Sequence, residues 1–480
     1  MVIQTIYQEK LDVSGELLEQ WFEAKAPVLI DAPPGSGKTY GLRAIHNFAE
    51  RNGLRVLATA PRSETVANMK QECEGCRKVK TTTVQALQNM HPTSMVNYIR
   101  QFQIVVLDEI HAMVTDEFSE DNHIFMQTLI EECNGLIIGM TGTNFFRLEY
   151  LFTIAYGKMW SMLKVAEDFS FLQDNSITFF QSVETASYII RQAVACGEKV
   201  FVGCDYVEDL EKLRQGQEKN SFVIVSEGNR KKNKMCSKIE KQHILNTGLY
   251  PEGKDILFCT RAYELGTNIK DDAKTILIWS DDLATVVQFS RRVRIMYPGQ
   301  QVKIYVKAFN AAELADKYKK ANTMLSQSQL YEEDRTAFWA KYYRKVQDPS
   351  GILYPAKGEG ETSELRIDKL KQAYWKARKA IFCVPEMRYW VHMVCSVFGG
   401  CRFTVLSKPQ LVEFMKQHEG RTLSKEQIRE LKKCAGCKTI EEINNACAKE
   451  GLKQRIVIER ENVYVNGKRT QPRVWKVTKE

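Results

Sequence analysis

Between about Glu16 and Val165, short runs of apolar and β-branched residues alternate with stretches of helical periodicity, the runs being PVLIDA, LRVLATA, FQIVVLDE and GLIIGMTG. Runs that are apolar at nearly every position, instead of every second one, predict strands of a parallel sheet covered by helices on both faces. A second series follows: SITFFQS, EKVFVGC, SFVIVSE, DILFCTR, KTILIWS and QVKIYV, with helical segments such as Glu184 to Ala195 and Val207 to Gln215 between them. The pattern predicts two consecutive α/β units joined near Asp168 to Gln173, with no internal sequence repeat.

After about Asn310 the strand signal vanishes and a long helical, charged stretch begins. Aromatic residues recur there beside basic ones, Trp339, Tyr342, Tyr343, Tyr374 and Trp375 among them. Bases can stack on such side chains, but stripes of this kind are more often the core of a helical bundle. Asp348 to Ser363 (DPSGILYPAKGEGETS) gathers Pro, Gly, Ser and charge and is the candidate linker or mobile loop.

Near the end, Ser424 to Lys433 and Thr439 to Glu450 read as two short helices, with Ser424 and Thr439 as caps facing Gln427 and Glu442. RIVIERENVYVNGKRTQPRVWKV then alternates as a β-hairpin does, with Asn466-Gly467 at its turn. Helices followed by a hairpin outline a winged helix at about residues 420–480. That segment carries Lys453, Arg455, Arg460, Lys468, Arg469, Arg473, Lys476 and Lys479 against Glu459, Glu461 and Glu480. Such a balance suits contact with a nucleic-acid backbone; a small structural or protein-binding domain is the plain alternative.

A length of 480 residues predicts roughly three domains, and 44% hydrophobic with 26% charged residues is an ordinary globular balance. The formal charge of +9 is compatible with a polyanionic partner without demanding one. MVIQTIYQEK has neither the basic nor the apolar region of a secretory signal, and no apolar run approaches the ~18 residues of a membrane span. The thirteen cysteines are therefore expected as reduced thiols in a cytoplasm. Cys73/Cys76 and Cys434/Cys437 each have the spacing of half a zinc site, but neither has a second pair at knuckle distance, so thiols are the expectation.

The first chemical motif directly follows the first apolar run. VLIDAPPGSGKTYGL places Pro34, Gly35, Ser36, Gly37, Lys38 and Thr39 between a strand and an amphipathic helix. Glycines let successive backbone N–H groups surround phosphate oxygens, and the helix start adds its positive end. In such a loop Lys38 reaches the β- and γ-phosphates of ATP and the Thr39 hydroxyl ligates Mg²⁺. The general pattern opens on Gly where this chain has Ala32, yet the GSGKT cradle is whole. About seventy residues on, FQIVVLDEIHAM ends a strand in Asp108, Glu109, Ile110 and His111. A carboxylate at the C-terminal edge of a parallel strand can hold the Mg²⁺ shell, which suits Asp108, and a neighbour can deprotonate the attacking water, which suits Glu109.

APPGSGKT, LDEIH and TGT at Thr141 to Thr143 resemble motifs I, II and III of superfamily 2 DExH-box helicases. ATAPRSETVANM is similar to motif Ia and VKTTTVQAL to motif Ib, which implies backbone contacts to nucleic acid for Arg62 and Thr83; a plain loop and a helix start are the alternative for these two. KVFVGCDYVEDLEKL resembles motif IV. ILFCTRAYELGTNI resembles motif V, with Thr260 on the nucleic acid and Glu264, Gly266 and Asn268 in the motif, Asn268 standing where the family usually has Asp. VVQFSRRVRIM resembles motif VI, whose arginines reach the γ-phosphate from the second unit. The common form is Gln-x-x-Gly-Arg-x-x-Arg; here Gln288 is followed by Arg291, Arg292 and Arg294, with Ile295 in the last arginine's place. By spacing Arg292 is the finger candidate and Arg294 the second one, while Arg291 and Arg292 both have the alternative of a basic helix face.

The resemblance implies an α/β fold with two tandem RecA-like domains, at residues 1–168 and 169–309, and a mainly helical C-terminal region at 310–480 with a winged-helix end. It implies an ATP- and Mg²⁺-dependent helicase or translocase. The RRVR form is similar to origin-binding and mobile-element relatives, so single-stranded or partly duplex DNA is expected ahead of RNA, with replication or mobile-element proteins as partners and no membrane. An RNA helicase is the second reading, and an ATP-dependent clamp or switch without unwinding is the reading from another class.

Overall fold

The structure, a computed structural model, describes residues 5–33, 36–115, 122–144, 147–225, 235–261, 269–297, 299–342, 352–355, 365–406, 409–435, 437–449, 452–460, 463–465, 468–470 and 473–479. The first unit is a sheet of seven strands: β1 (Thr5–Gln8), β2 (Val28–Asp31), β3 (Val56–Ala60), β4 (Val79–Thr83), β5 (Ile104–Leu107), β6 (Leu136–Thr141) and β7 (Ser161–Val165). They lie in the order β1-β7-β2-β6-β5-β3-β4, every neighbouring pair parallel. The inner strands β2, β3, β5 and β6 are buried along nearly their whole length, as unbroken apolar runs require when helices cover both faces.

The second unit contributes β8 (Leu172–Phe180), β9 (Lys199–Cys204), β10 (Ser221–Ile224), β11 (Ile256–Thr260), β12 (Ala273–Trp279) and β13 (Val302–Lys307). A short hairpin of β14 (Leu353–Pro355) and β15 (Leu365–Ile367) follows, and then β16 (Arg402–Leu406), which adds to β8 and completes a second parallel sheet ordered β10-β11-β9-β12-β13-β8-β16. Strands therefore continue between Asn310 and the terminal hairpin, where the apolar pattern shows none. RFTVL is an edge strand with its first three residues exposed, so it lacks the continuous apolar signature of the buried strands. β1 escapes notice for the same reason, half-exposed at the opposite edge of the first sheet. Of the candidate linker, residues 352–355 hold β14 and the rest lie outside the described residues.

Helices Ala311–Glu333 and Lys369–Ile381 span the two units. Ala321, Leu325, Leu370, Tyr374 and Trp375 join the apolar core on one face of the first sheet, whereas helix Met387–Val397 packs into the core of the second. Tyr374 and Trp375 are thus core residues, and Tyr331 and Phe338 form a smaller cluster with Leu353 and Leu365. The end of the chain runs helix Pro409–Gln417, β17 (Thr422–Leu423), helices Lys425–Ala435 and Ile440–Lys449, β18 (Gln454–Arg460), the hairpin β19 (Val463–Val465) and β20 (Lys468–Thr470), and β21 (Arg473–Lys479). With the sheet ordered β17-β21-β18 and antiparallel, this is the winged-helix arrangement, β19 and β20 forming the wing. Asn466 and Gly467 lie outside the described residues. Among the described residues no helix is long and apolar enough to cross a membrane.

Candidate nucleotide site between the two sheets

β2 delivers the chain to the loop at the C-terminal edge of the first sheet, where Ala32 N donates to Thr141 O at 2.9 Å. Gly37 turns with φ +94°, a conformation that favours glycine, and caps helix Lys38–Arg51. Lys38 Nζ donates to Ala32 O at 3.3 Å and lies 3.7 Å from Glu109 Oε1. Among the described residues Ser36 Oγ is buried without a hydrogen-bond partner. A glycine turn, a helix start, a lysine and an unsatisfied hydroxyl are the donor set that phosphate oxygens require. Pro34, Gly35 and the side chain of Thr39 lie outside the described residues.

β5 carries the acidic pair. Asp108 N donates to Thr59 O at 2.8 Å, and Asp108 Oδ1 accepts from Glu109 N at 3.0 Å. Glu109 sits in the left-handed region at φ +49°, a costly conformation for a side chain with a Cβ and one that clusters at functional sites. Burial alone would raise its carboxyl; the Lys38 ammonium and the Arg292 guanidinium oppose that, and the carboxyl stands below its ordinary value. Among the described residues Glu109 Oε2 is buried without a hydrogen-bond partner, and the Gly142 backbone N–H helps hold the carboxyl down. His111 Nδ1 is 3.4 Å from that oxygen and 3.0 Å from Thr141 Oγ1. Burial lowers His111 to about 4, so its contact with Glu109 is that of a neutral ring. Thr141 Oγ1 also accepts from Thr143 N and donates to Thr143 O, both at 3.0 Å, which ties DEIH to the TGT turn.

The second sheet completes the site. Helix Leu283–Ser290 is buried along its length, and Asp282 caps it by accepting from Ala284 N at 2.8 Å and Thr285 N at 3.3 Å. At its other end Arg292 Nη2 donates to Gln288 Oε1 at 3.0 Å. Arg294 N donates to Ile269 O at 2.8 Å; burial lowers its guanidinium, and Glu109 opposes that. A cleft of about 1250 Å³ is lined by Ser36, Lys38, Asp108 and Glu109 from one sheet and by Gln288, Arg292 and Arg294 from the other. Arg291 also lines the cleft but turns to the connector: Nη2 donates to Glu167 Oε2 and Asp168 O at 3.3 Å, and its guanidinium lies 5.3 and 5.0 Å from the rings of Phe169 and Phe171. It clamps the connector between the sheets.

Of the remaining sites expected from sequence, Arg62, Thr83 and Thr260 do not line the cleft. Arg62 and Thr83 stand at the C-terminal ends of β3 and β4, and Thr83 Oγ1 accepts from Ala86 N at 3.1 Å as a helix cap. Thr260 is buried at the end of β11. Glu264, Gly266 and Asn268 lie outside the described residues. Glu9, Lys10 and Tyr40 line the cleft but carry no motif, because an edge strand and a helix surface bring them there. Cys73 Sγ lies 3.3 Å from His46 Nδ1, and no group of three or more ligating side chains occurs among the described residues.

A family model described as an AAA domain matches residues 16–122. No curated protein matches the chain. Among solved structures, the DEAH/RHA helicase HrpB of Escherichia coli is 12% identical with a TM-score of 0.43 over 61% of this chain and 42% of its own. The DEAD-box helicase Mss116, bound to single-stranded RNA and UDP-BeF, is 12% identical with a TM-score of 0.46 over 69% of this chain and 80% of its own. Dbp5 of S. cerevisiae, bound to RNA and ADP BeF3, is 9% identical with a TM-score of 0.40 over 59% of this chain and 79% of its own. The chain joins a P-loop unit that matches an AAA domain to a second parallel sheet, a tandem RecA-like architecture.

Proposed function

We propose that this chain is an ATP-dependent helicase or translocase of the superfamily 2 DExH type. The observation that carries the reading is Arg292, which reaches from the second sheet into the cleft that Lys38 and Glu109 line from the first and lowers the Glu109 carboxyl. The N–H groups about Ser36 and Gly37 and the Lys38 ammonium hold the phosphates. Asp108 and Thr39 would hold Mg²⁺, which would supply charge neutralisation on the phosphate oxygens. Glu109 Oε2 takes a proton from the attacking water, whose oxygen bonds to the γ-phosphorus as the bond to the bridging oxygen of ADP breaks. Arg292 and Arg294 stabilise the charge spread over the transferring group.

Hydrolysis removes the group that both sheets hold, so closure of the cleft depends on ATP through its differential affinity for the closed state. Arg62 and Thr83 on the first unit and Thr260 on the second then shift relative to one another along a strand. The winged helix supports a nucleic-acid partner through its sheet: Lys453, Arg455 and Arg460 are exposed there, whereas helix Ile440–Lys449 exposes Glu441 and Glu442. The motif VI wording and the winged helix favour single-stranded or partly duplex DNA. RNA is the second reading, since the Mss116 and Dbp5 structures hold RNA.

Displacement of a labelled strand from partly duplex DNA and RNA tests the reading. ATP-dependent release from DNA, lost in Glu109→Gln, is the expected result. Release from RNA alone would move the track to RNA, and strand-stimulated ATPase without release would make the chain a clamp.

A further inference from the structure

In the second sheet, β9 and β12 are neighbours whose chains continue in opposite directions, β9 towards β10 and β12 towards β13. Open α/β sheets bind ligands outside the carboxyl ends of the strands at such a switch point. Here the crevice is filled by the chain's own cations. Asp205 follows β9 and accepts from Ser280 Oγ at 2.9 Å and Asp281 N at 3.0 Å. Arg378, from helix Lys369–Ile381, places Nη2 2.5 Å from Asp281 Oδ1 and Nη1 3.6 Å from Asp282 Oδ2. Lys317, from helix Ala311–Glu333, pairs with the other Asp281 oxygen. Burial raises Asp281, and Arg378 and Lys317 reverse this and hold it well below the carboxylate range.

Asp282 is the residue that caps helix Leu283–Ser290, and the last turn of this helix carries the Gln288 that holds Arg292. Eight residues rise about 12 Å at ~1.5 Å each, so the cap and the finger are two ends of one short rigid element. The helix has no slack against its sheet: a Cβ on Gly203 would stand 2.5 Å from the Phe289 ring. Helix Lys369–Ile381 is itself anchored on the first sheet by Leu370, Tyr374 and Trp375. Arg261 adds a parallel tie, donating to Thr115 O of the first unit at 3.2 Å and lying 3.5 Å from Asp282 Oδ2.

We infer that Arg378 is a positioning residue for the arginine finger: from the C-terminal helices it fixes Asp282, and through the capped helix it sets where Gln288 and Arg292 stand against the first sheet. The C-terminal helical region is then part of the ATPase machinery and not an appendage to it. This rests on the proposed ATPase reading.

The test is a double-mutant cycle on the full chain, with steady-state ATPase and nucleotide affinity as readouts. Arg378→Met is expected to lower kcat by about tenfold or more with the KM for ATP within about twofold, and Arg378→Lys to recover most of the rate. Placed on Arg292→Gln, Arg378→Met is expected to add no further loss, because the group it positions is already gone. Should Arg378→Met fail to fold, the pair Asp281→Asn with Arg378→Met removes both charges and takes its place in the cycle. An unchanged kcat in a folded variant, or losses that multiply, overturns the inference. A wild-type chain with no ATPase sinks the proposed function instead, so the two failures are told apart.

Discussion

Lys38 Nζ lies 3.7 Å from Glu109 Oε1, so the proposed phosphate-binding lysine and the candidate general base face each other across the P-loop. The two residues predict opposite kinetic signatures. Glu109→Gln keeps the shape and loses the proton acceptor; kcat is expected to fall by about 10²–10⁴ with ATP affinity retained. Lys38→Met removes a cation from the phosphates and is expected to lose ATP affinity itself. Equilibrium binding of a fluorescent ATP analogue beside steady-state rates separates them.

Adjacent arginines divide the work at the end of helix Leu283–Ser290. Arg292→Ala is expected to lower kcat by about 10³-fold or more, in the range of trans-acting fingers. Arg291→Ala is expected to leave most of kcat and to lower the melting temperature, because Arg291 holds Glu167 and the Phe169 and Phe171 rings of the connector. Equal losses of kcat in the two variants would contradict the assignment.

Gly203→Ala tests how tightly the finger helix is seated. The new methyl meets the Phe289 ring at 2.5–2.8 Å, and overpacking of that kind costs about 1–3 kcal/mol. A lower midpoint in urea together with a reduced kcat is expected; loss of stability with kcat intact would detach the helix from catalysis.

Titrations of buried groups oppose one another in this chain. Burial lowers His46, His111 and His123 to about 4. The unfolded chain takes up those protons first, so this contribution is full above pH ~6.5 and is lost as pH falls towards 4. Burial raises Asp31 and Asp368 to about 6 and Asp205 to about 7. There the folded chain binds the protons first, and stability falls as pH rises from about 4 towards 6–7. The expected wild-type profile is nearly flat between pH 4 and 7. His46→Gln removes one histidine from the balance, so its stability relative to wild type should rise on acidification by up to ~1.4 kcal/mol per pH unit. Urea unfolding at several pH values reads the difference; a relative stability independent of pH would contradict the neutral, buried His46.

Much of this was legible in the sequence because its signals are local. The unbroken apolar runs PVLIDA and FQIVVLDE mark buried parallel strands, and GSGKT and DEIH sit at their carboxyl ends, where phosphate and metal chemistry belongs. Ser424 with Gln427 and Thr439 with Glu442 do form the reciprocal caps their spacing predicts. Long-range features were not legible. β1 and β16 are edge strands with polar faces, and only pairing reveals them. The separate fates of Arg291 and Arg292 depend on which way a turn directs each side chain. Nothing near Arg378 in the sequence announces its partners, since Asp281 lies 97 residues away.

The measurement that bears most directly on the account is the steady-state ATPase rate with Mg²⁺, with and without saturating single-stranded DNA. A motor whose two sheets share one nucleotide and one track predicts a rate that rises with the strand by about tenfold or more and is abolished in Glu109→Gln. A rate indifferent to DNA and to RNA alike would contradict it.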